Sequence, residues 1–367
     1  MPDRERGTGG TAMNGTGTNS SSTSGSVANG TATSGTATNG SGTNGSGANG
    51  SLRGRGVRRG RVLRTVLAGL VAGAVVVPVS AAASPGVPAP APAVLAGSAG
   101  PQERYAANLA NLAEAARTAE EAGQSGRAAK LREMASAGAG DARFLTFDGR
   151  GGGRVVEVFG DLGTADRIAV LVPGSDTTLD TYRRFRDGAL SLQRRLEEQH
   201  PRSAVVAWLG YDTPGTVSTT VLTADRADRA AAELGPFLSR LRGLTTDGAR
   251  MSLLCHSYGS VVCARTATGP GVTDIALFGS PGTGADTTAA LPTRARIWAG
   301  RGSGDWIGDV PHVRLGGIGF GTDPVDPAFG ARVFPAGSAG HSDYLKPGTA
   351  SLDGLARIVL GTEVPRV

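Results

Sequence analysis

The stretch Met251–Arg265 holds a serine in a setting that could make it a nucleophile. It reads MSLLCHSYGSVVCAR, so an apolar strand, a sharp turn and a helix are predicted to follow one another. Ser257 stands at the turn, in a pattern close to the G-x-S-x-G that presents a serine at the end of a strand. Gly259 suits the close approach of strand and helix there, whereas Cys255 replaces the usual first glycine. We predict a nucleophilic Ser257; the alternative is a serine in an ordinary strand-to-helix loop.

A serine hydroxyl is a weak nucleophile at neutral pH and needs a neighbouring base, and the chain has four histidines. His341, in Gly-His-Ser-Asp-Tyr just before the last predicted helix, is the predicted base. His312 lies in a glycine-rich loop and is the reserve candidate. His256 is expected to point away from the neighbouring serine and to pack locally. His200 is expected on the surface at a helix end.

The base in turn needs an acid to orient it. Asp305 follows a predicted strand in the sequence GRGSGDWI and is the predicted acid. Asp309 is the alternative, and Asp323 and Asp326 are weaker candidates because they lie farther along the loop near prolines.

A tetrahedral intermediate needs two N–H donors for its oxyanion. The backbone amide of Tyr258, directly after the serine, is the predicted first donor. The second is predicted from the turn Pro173-Gly174-Ser175-Asp176, with the amide of Ser175 as our choice. This turn has no G-x-G-x-x-G pattern, which argues against a phosphate-binding loop.

Short apolar runs alternate with helical stretches on both sides of Ser257. Continuous apolar strands separated by helices indicate an α/β fold, a mostly parallel sheet with helices on both faces. The predicted strands are Arg154–Phe159, Ile168–Val172, Ala204–Leu209, Met251–Cys255, Asp274–Phe278 and Arg296–Ala299. The predicted helices are Asp180–Gln199, Ala224–Arg242, Tyr258–Ala267 and Ser351–Leu360.

Several segments of this region resemble an uncharacterised actinobacterial family of α/β-hydrolases that carries a His-Ser-Tyr-Gly nucleophile elbow. The resemblance covers about residues 140–362 and implies an α/β-hydrolase fold with a triad at Ser257, Asp305 and His341. It implies no particular substrate. The segments that carry it are VLVPGSD at 170–176, LLCHSYGSVVC at 253–263, LFGSPG at 277–282, GDWI at 304–307 and GHSDYL at 340–345.

The net charge of +6 comes from the start of the chain. Residues 1–83 contain eight Arg and two acidic residues, and the remaining residues carry 29 basic and 29 acidic side chains. A body without excess positive charge lacks the electrostatic signature of nucleic-acid binding, so we expect no nucleic-acid partner.

The N-terminal region is predicted to direct export. Arg53–Arg64 precede Thr65–Ala83, nineteen uncharged residues with Pro78 and small residues at the end, which is the secretory signal pattern. A membrane anchor is the alternative, with membrane or cell-wall association through residues 62–83 if they are not cleaved. Both place the body outside the cytoplasm, secreted or at the cell surface. A translation start near residues 52–57 is a further hypothesis.

These patterns divide the chain into consecutive regions. Residues 102–140 should contain one or two amphipathic helices broken near Gly123–Gly126. The regions are a disordered low-complexity tail at 1–52, a signal peptide or membrane anchor at 53–83, a Pro/Ala-rich linker at 84–101, a helical segment at 102–140 and an α/β-hydrolase domain at 141–367.

Two questions stay open at the level of sequence. Cys255 and Cys263 could form a disulfide outside the cytoplasm or remain two buried thiols. The long loop Gly308–Gly340 could shape an apolar acyl site, or its aromatic side chains could simply pack it to the sheet. The aromatic residues in question are Phe320, Phe329 and Phe334 in the loop and Trp306 just before it.

Together these features predict an exported serine hydrolase that cleaves a small-molecule or lipid ester, carboxylesterase-like or lipase-like, through an acyl-Ser257 intermediate. Alternatives are a peptidase or acyltransferase with the same triad, or a catalytically silent cell-surface binding protein. The scattered Cys and His lack metal-ligand spacing, so no metal or cofactor is expected.

Overall fold

A computed structural model describes residues 87–136, 143–314 and 318–365. The low-complexity tail at 1–52 and the signal or anchor at 53–83 lie outside the described residues. Within the described ranges, no helix has the length and apolar character needed to cross a membrane.

A single eight-stranded sheet organises the described part of the chain, in the order β1-β2-β4-β3-β5-β6-β7-β8. β1 and β2 pair antiparallel, as do β2 and β4, and all remaining neighbours pair in parallel. The α/β-hydrolase fold with a mostly parallel sheet is therefore confirmed. The strands are β1 (Arg143–Asp148), β2 (Arg154–Gly160), β3 (Arg167–Val172), β4 (Ser203–Leu209), β5 (Arg250–His256), β6 (Val272–Phe278), β7 (Arg296–Gly300) and β8 (Arg332–Val333).

Helices cover both faces of this sheet because the strand side chains alternate between two apolar cores. On β3, Ile168 and Val170 face one core, while Ala169 and Leu171 face the other. The first core also contains side chains of α4 and α5, and the second contains those of α3 and α6. The helices in the described ranges are α1 (Pro101–Glu121), α2 (Ser125–Ser136), α3 (Tyr182–Glu197), α4 (Asp225–Arg242), α5 (Tyr258–Arg265) and α6 (Ala350–Leu360).

Helices α1 and α2 pack against the antiparallel end of the sheet. Leu112 of α1 and Leu131 of α2 are buried in a third core together with Phe144 and Phe147 of β1. Preceding residues 87–100 form neither helix nor strand, and Asn111 of α1 donates a hydrogen bond of 2.6 Å to the carbonyl of Ala91 within them.

Polar side chains also tie these two helices to the sheet domain. The buried side chain of Arg127 on α2 donates to Asp180 at 2.8 Å and to the carbonyls of Gly149 and Gly151. The amide of Asn108 on α1 donates to the carbonyls of Phe144 and Leu145 on β1, at 3.2 and 3.0 Å. The two helices are thus part of the packed body rather than a separate stalk.

Candidate active site

The structure brings the predicted nucleophile, base and acid into one hydrogen-bonded chain. The hydroxyl oxygen of Ser257 lies 2.9 Å from Nε2 of His341. The other ring nitrogen of His341, Nδ1, lies 2.9 Å from Oδ1 of Asp305. When Nδ1–H donates to the carboxylate, Nε2 is left as an acceptor for the serine proton, which is the tautomer that general-base chemistry requires.

Each of the three residues follows the carboxyl end of a parallel strand. Ser257 lies between β5 and α5, Asp305 follows β7, and His341 follows β8. Because the carboxyl ends of parallel strands meet at one edge of the sheet, residues 84 positions apart in the chain come within reach of each other.

The backbone at Ser257 has the strained conformation of a nucleophile elbow. Its φ is 51° and ψ is −124°, a combination that costs free energy for a residue other than glycine. Two glycines make room for it. A Cβ on Gly259 would lie 2.5 Å from the carbonyl oxygen of Pro173, and a Cβ on Gly174 would lie 2.7 Å from the Cβ of Ser257. Backbone contacts hold the turn, because Ser257 N–H donates to the carbonyl of Phe278 at 3.0 Å.

Asp305 is a buried carboxylate with several donors around it. Burial raises the pKa of Asp305, but hydrogen bonds from His341, Tyr344 and the Ile307 amide outweigh burial and hold that pKa below its usual value. Tyr344 O–H donates to Oδ2 at 2.6 Å and the Ile307 amide donates to Oδ1 at 2.9 Å. Asp305 is therefore ionised and fixed in orientation at neutral pH.

The predicted oxyanion donors border the serine. Tyr258 is the first residue of α5 and directly follows Ser257, so its amide has no acceptor within the helix. Ser175 lines the same cleft as Ser257, next to Gly174, which packs against the serine.

The turn that carries Ser175 is held by partners from the region after β4. Tyr211 O–H donates to the carbonyl of Pro173 at 2.7 Å. Asp176 has a positive φ of 57°, and its carboxylate accepts from the amide of Thr216 at 3.1 Å. Asp is one of the few residues that tolerate this left-handed conformation, so the turn is fixed by its own sequence and by its neighbours.

The remaining histidines other than His256 lie away from the serine. His200 pairs with Asp166 near the start of β3, at the opposite end of the strands from the triad. The ring of His312 lies 3.4 Å from the carbonyl of Ser280 and 3.9 Å from Asp323.

The other acidic candidates also have different positions. Asp323 forms an ion pair with Arg301, and Asp326 accepts from the amide of Ala328 at the start of a short 3-10 helix. Asp309 is exposed to solvent.

His256 lies elsewhere than predicted. We expected its ring to point away from the site, but Nε2 lies 2.7 Å from the carbonyl oxygen of His341 and the two rings are 4.9 Å apart. The expected local packing is present, against the rings of Phe278 and Tyr344. The expected orientation was wrong, because the segment that carries His341 packs against the ring of His256. Tyr344 was also missed as part of the acid's surroundings, although it stands in the GHSDYL segment.

Cys255 and Cys263 form a disulfide in the structure. Cys255 is the penultimate residue of β5 and Cys263 lies in α5. Ser257 is therefore within the covalent loop that the disulfide closes. Both cysteines are buried, with exposed fractions of 0% and 1%.

A cleft of about 1010 Å³ opens in front of the serine. Helix α3 and residues 341–347 contribute to its lining, with apolar contributions from Leu171, Phe185, Phe278 and Leu345. Charged side chains of both signs also line it: Arg183, Arg184, Lys346, Asp176, Asp187 and Asp343.

The three phenylalanines of the long loop and Trp306, just before it, have different surroundings. Phe320, Phe329 and Phe334 are buried in the cores and pack the loop to the sheet. Trp306 is half exposed, and its ring centroid lies 4.6 Å from that of His341. The structure therefore favours packing for the three phenylalanines and leaves Trp306 beside the base.

No group of three or more His, Cys, Asp or Glu side chains in the described ranges is arranged to hold a metal ion.

Comparison with known proteins shows similarity to α/β-hydrolases. Residues 148–315 match the sequence profile of a family described as alpha/beta hydrolase. An uncharacterised protein of Mycobacterium tuberculosis is 29% identical over 254 residues, covering 59% of this chain and 38% of that protein. An uncharacterised protein of Mycobacterium bovis is 30% identical over 135 residues, covering 34% and 50%. The match thus spans half or less of these relatives, and it supports the resemblance to an uncharacterised family of α/β-hydrolases.

Among solved structures, esterase LipW from Mycobacterium marinum is similar with 17% identity and a TM-score of 0.39, over 67% of this chain and 88% of that one. An α/β serine hydrolase without a lid from Xanthomonas campestris has 15% identity and a TM-score of 0.38, over 59% and 91%.

Proposed function

We propose that the protein is an exported serine hydrolase that cleaves a carboxylic ester through an acyl intermediate on Ser257. The observation that carries this proposal is a single one. A serine at a strained strand-to-helix turn has its hydroxyl 2.9 Å from Nε2 of a histidine whose Nδ1 is 2.9 Å from a buried carboxylate.

In the first half of the reaction, the Ser257 oxygen attacks the ester carbonyl carbon while His341 Nε2 accepts the hydroxyl proton. The carbonyl oxygen becomes an oxyanion that accepts hydrogen bonds from the amides of Tyr258 and Ser175. The C–O bond to the alcohol then breaks, and the proton on Nε2 passes to the departing alkoxide. The alcohol leaves and the acyl group stays on Ser257.

In the second half, a water molecule gives a proton to Nε2 and attacks the acyl carbon. The second oxyanion collapses, the bond to Ser257 breaks, and the proton returns to the serine oxygen. Asp305 stays ionised throughout, orients the imidazole through Nδ1 and stabilises the imidazolium. The carboxylic acid product leaves, and the enzyme is restored.

The size and lining of the cleft fit the substrates of a carboxylesterase and of a lipase. Its volume of about 1010 Å³ suits an ester of moderate size, and its mixed lining accommodates both apolar and charged substituents. A peptidase or an acyltransferase would use the same atoms with an amine leaving group or a different acceptor. A silent binding protein would retain the fold without turnover.

Export is part of the proposal. The signal pattern at residues 53–83 supports it, and so does the disulfide between Cys255 and Cys263, because disulfides persist in oxidising compartments. If the signal stays uncleaved, residues 62–83 would associate the protein with the membrane or cell wall.

Labelling with a fluorophosphonate probe tests the nucleophile directly. Mass mapping of the modified protein is expected to find the adduct on Ser257, lost in Ser257→Ala and strongly reduced in His341→Ala. Ser239→Ala, on the exposed side of α4, is the matched serine control and should label like the wild type.

The same proteins are then assayed with p-nitrophenyl esters of increasing chain length. Hydrolysis by wild type and not by Ser257→Ala supports the esterase. Labelling without ester hydrolysis would favour the peptidase or acyltransferase, and a folded protein that is never labelled would favour the binding protein.

A further inference from the structure

His256 is the last residue of β5 and directly precedes Ser257. Three aromatic rings surround it. Its ring centroid lies 5.2 Å from that of Phe278, 4.9 Å from that of His341 and 5.8 Å from that of Tyr344. A histidine in such surroundings could serve merely to fill space, so its polar contact decides what else it does.

That polar contact is made with the main chain of the proposed base. Nε2 of His256 lies 2.7 Å from the carbonyl oxygen of His341. A carbonyl oxygen can only accept, so Nε2 must carry the proton and donate it. The direction of this hydrogen bond fixes the tautomer of His256.

The charge state of His256 fits the same role. Burial, and to a smaller extent the charge of the nearby His341, lower the pKa of His256 to about 4. His256 is thus a neutral donor at physiological pH. A neutral ring beside His341 adds no positive charge that would oppose formation of the imidazolium during the reaction.

We propose that His256 is a positioning residue for the base, holding the main chain of His341 in register with the nucleophile from the adjacent residue of the same strand. This inference rests on the proposed function. Asp305 fixes the side chain of His341 through Nδ1, and His256 fixes its backbone. The imidazole is then held from both ends, at the distance of 2.9 Å from the Ser257 oxygen.

His256 couples the position of the base directly to that of the nucleophile, because it is adjacent to Ser257 in the chain. His256 and Ser257 share one peptide bond, so any shift of the elbow moves the donor and the nucleophile together. His341 moves with them, because its carbonyl oxygen accepts the hydrogen bond from His256. Such preorganisation affects the chemical step, since displacement of a reacting group by about 1 Å costs up to about a hundredfold in rate.

Three substitutions separate the hydrogen bond from the packing. His256→Gln places an amide N–H near the position of Nε2. His256→Asn carries the same group on a shorter side chain that does not reach the carbonyl of His341. His256→Leu removes the donor and keeps an apolar side chain of moderate size. His200→Gln, at the opposite end of the strands, is the histidine control.

Each variant is assayed for kcat and KM with a p-nitrophenyl ester, for the rate of fluorophosphonate labelling, and for its midpoint of thermal unfolding. We expect kcat and the labelling rate to fall about tenfold or more in His256→Asn and His256→Leu, with KM changed less than twofold. His256→Gln should recover at least a third of the wild-type kcat, and His200→Gln should match wild type.

A space-filling role predicts different results. Stability would fall while the three His256 variants share the same kcat, or His256→Gln would be as slow as His256→Asn. Either result overturns the inference, and if His256→Leu does not fold, the comparison of Gln with Asn still decides it. Failure of the proposed function looks different: the wild-type protein itself would show neither labelling nor ester hydrolysis.

Discussion

Tyr344 donates a hydrogen bond of 2.6 Å to Asp305, through the carboxylate oxygen that does not face His341. The same hydroxyl accepts from the amide of Gly302 at 3.0 Å, so it ties the acid to the loop that carries it. Burial raises the pKa of Tyr344, which keeps its hydroxyl protonated and available as a donor. The acid therefore has a fixed orientation before any substrate binds.

Removing the hydroxyl of Tyr344 should reduce the contribution of Asp305 to catalysis without abolishing it. In Tyr344→Phe, Asp305 loses a donor that lowers its pKa, and we expect kcat to fall about tenfold, since a hydrogen bond to a charged group contributes about 1.5–3 kcal/mol. Steady-state ester hydrolysis measures the effect. Tyr105→Phe, a buried tyrosine of α1, is the control and should leave kcat unchanged.

The disulfide should stabilise the fold around the nucleophile. Its two cysteines are eight positions apart, and closing a loop of that size contributes about 2–3 kcal/mol by the chain-entropy account. We expect the double variant Cys255→Ala/Cys263→Ala to lose about that much free energy of unfolding in urea denaturation. Equal stability of the two proteins would mean that the bond does not form in solution.

Gly259 should tolerate no side chain. A Cβ there would lie 2.5 Å from the carbonyl oxygen of Pro173 and 2.7 Å from that of Val172, and backbone atoms cannot move aside cheaply. Gly259→Ala is expected to abolish fluorophosphonate labelling or to prevent folding. Gly126→Ala, in helix α2 with no atom within 4 Å of the added carbon, should instead raise stability by about 0.5–1 kcal/mol.

Arg127 should matter far more to stability than a neighbouring arginine on the same helix. Its side chain is 4% exposed and bonds Asp180 and two backbone carbonyls, whereas Arg132 is 55% exposed and pairs with Glu120. Arg127→Ala is expected to lower the free energy of unfolding by about 2–4 kcal/mol. Arg132→Ala should change it by less than about 1 kcal/mol. Equal effects would contradict the buried network.

His256 should make stability depend on pH. Its pKa is about 4 in the folded protein and 6.5 in the unfolded chain, so the unfolded state binds more protons between these values. Its contribution is full above about pH 6.5 and is lost as pH falls toward 4. Urea unfolding at pH 7 and pH 4.5 measures this, and the loss should be smaller in His256→Gln. Asp305 and His341 lie near the ring in both proteins, so the difference between the two isolates His256.

The sequence predicts the central strands well because they are buried on both faces. Strands β2 to β7 are mostly apolar, and their predicted bounds differ from the observed ones by a residue or two. β1 was missed because RFLTFD mixes apolar with polar residues at the edge of the sheet. β8 has only two residues, and it exists because residues after Phe329 meet β7. No local pattern could reveal that pairing.

The residues of the candidate site also fall into those that local sequence predicts and those that it does not. Ser257 and Asp305 could be selected because each follows a predicted strand, and His341 because it stands just before the last predicted helix. Which rings lie behind the base depends on how the loop from 308 to 340 folds back, and that is set by packing over long separations. The contact between His256 and the carbonyl of His341, 85 positions away, belongs to this second kind.

The contact between Asn108 and β1 has a consequence for the behaviour of the protein in concentrated solution. β1 is the outermost strand of the sheet, and an outermost strand offers unpaired backbone groups to any other extended chain. Asn108 occupies two of its carbonyl oxygens, and α1 lies across it. In a protein shortened to begin after α2, the edge strand β1 would be uncovered and would polymerise strand to strand. The other edge strand, β8, would be unaffected by this change.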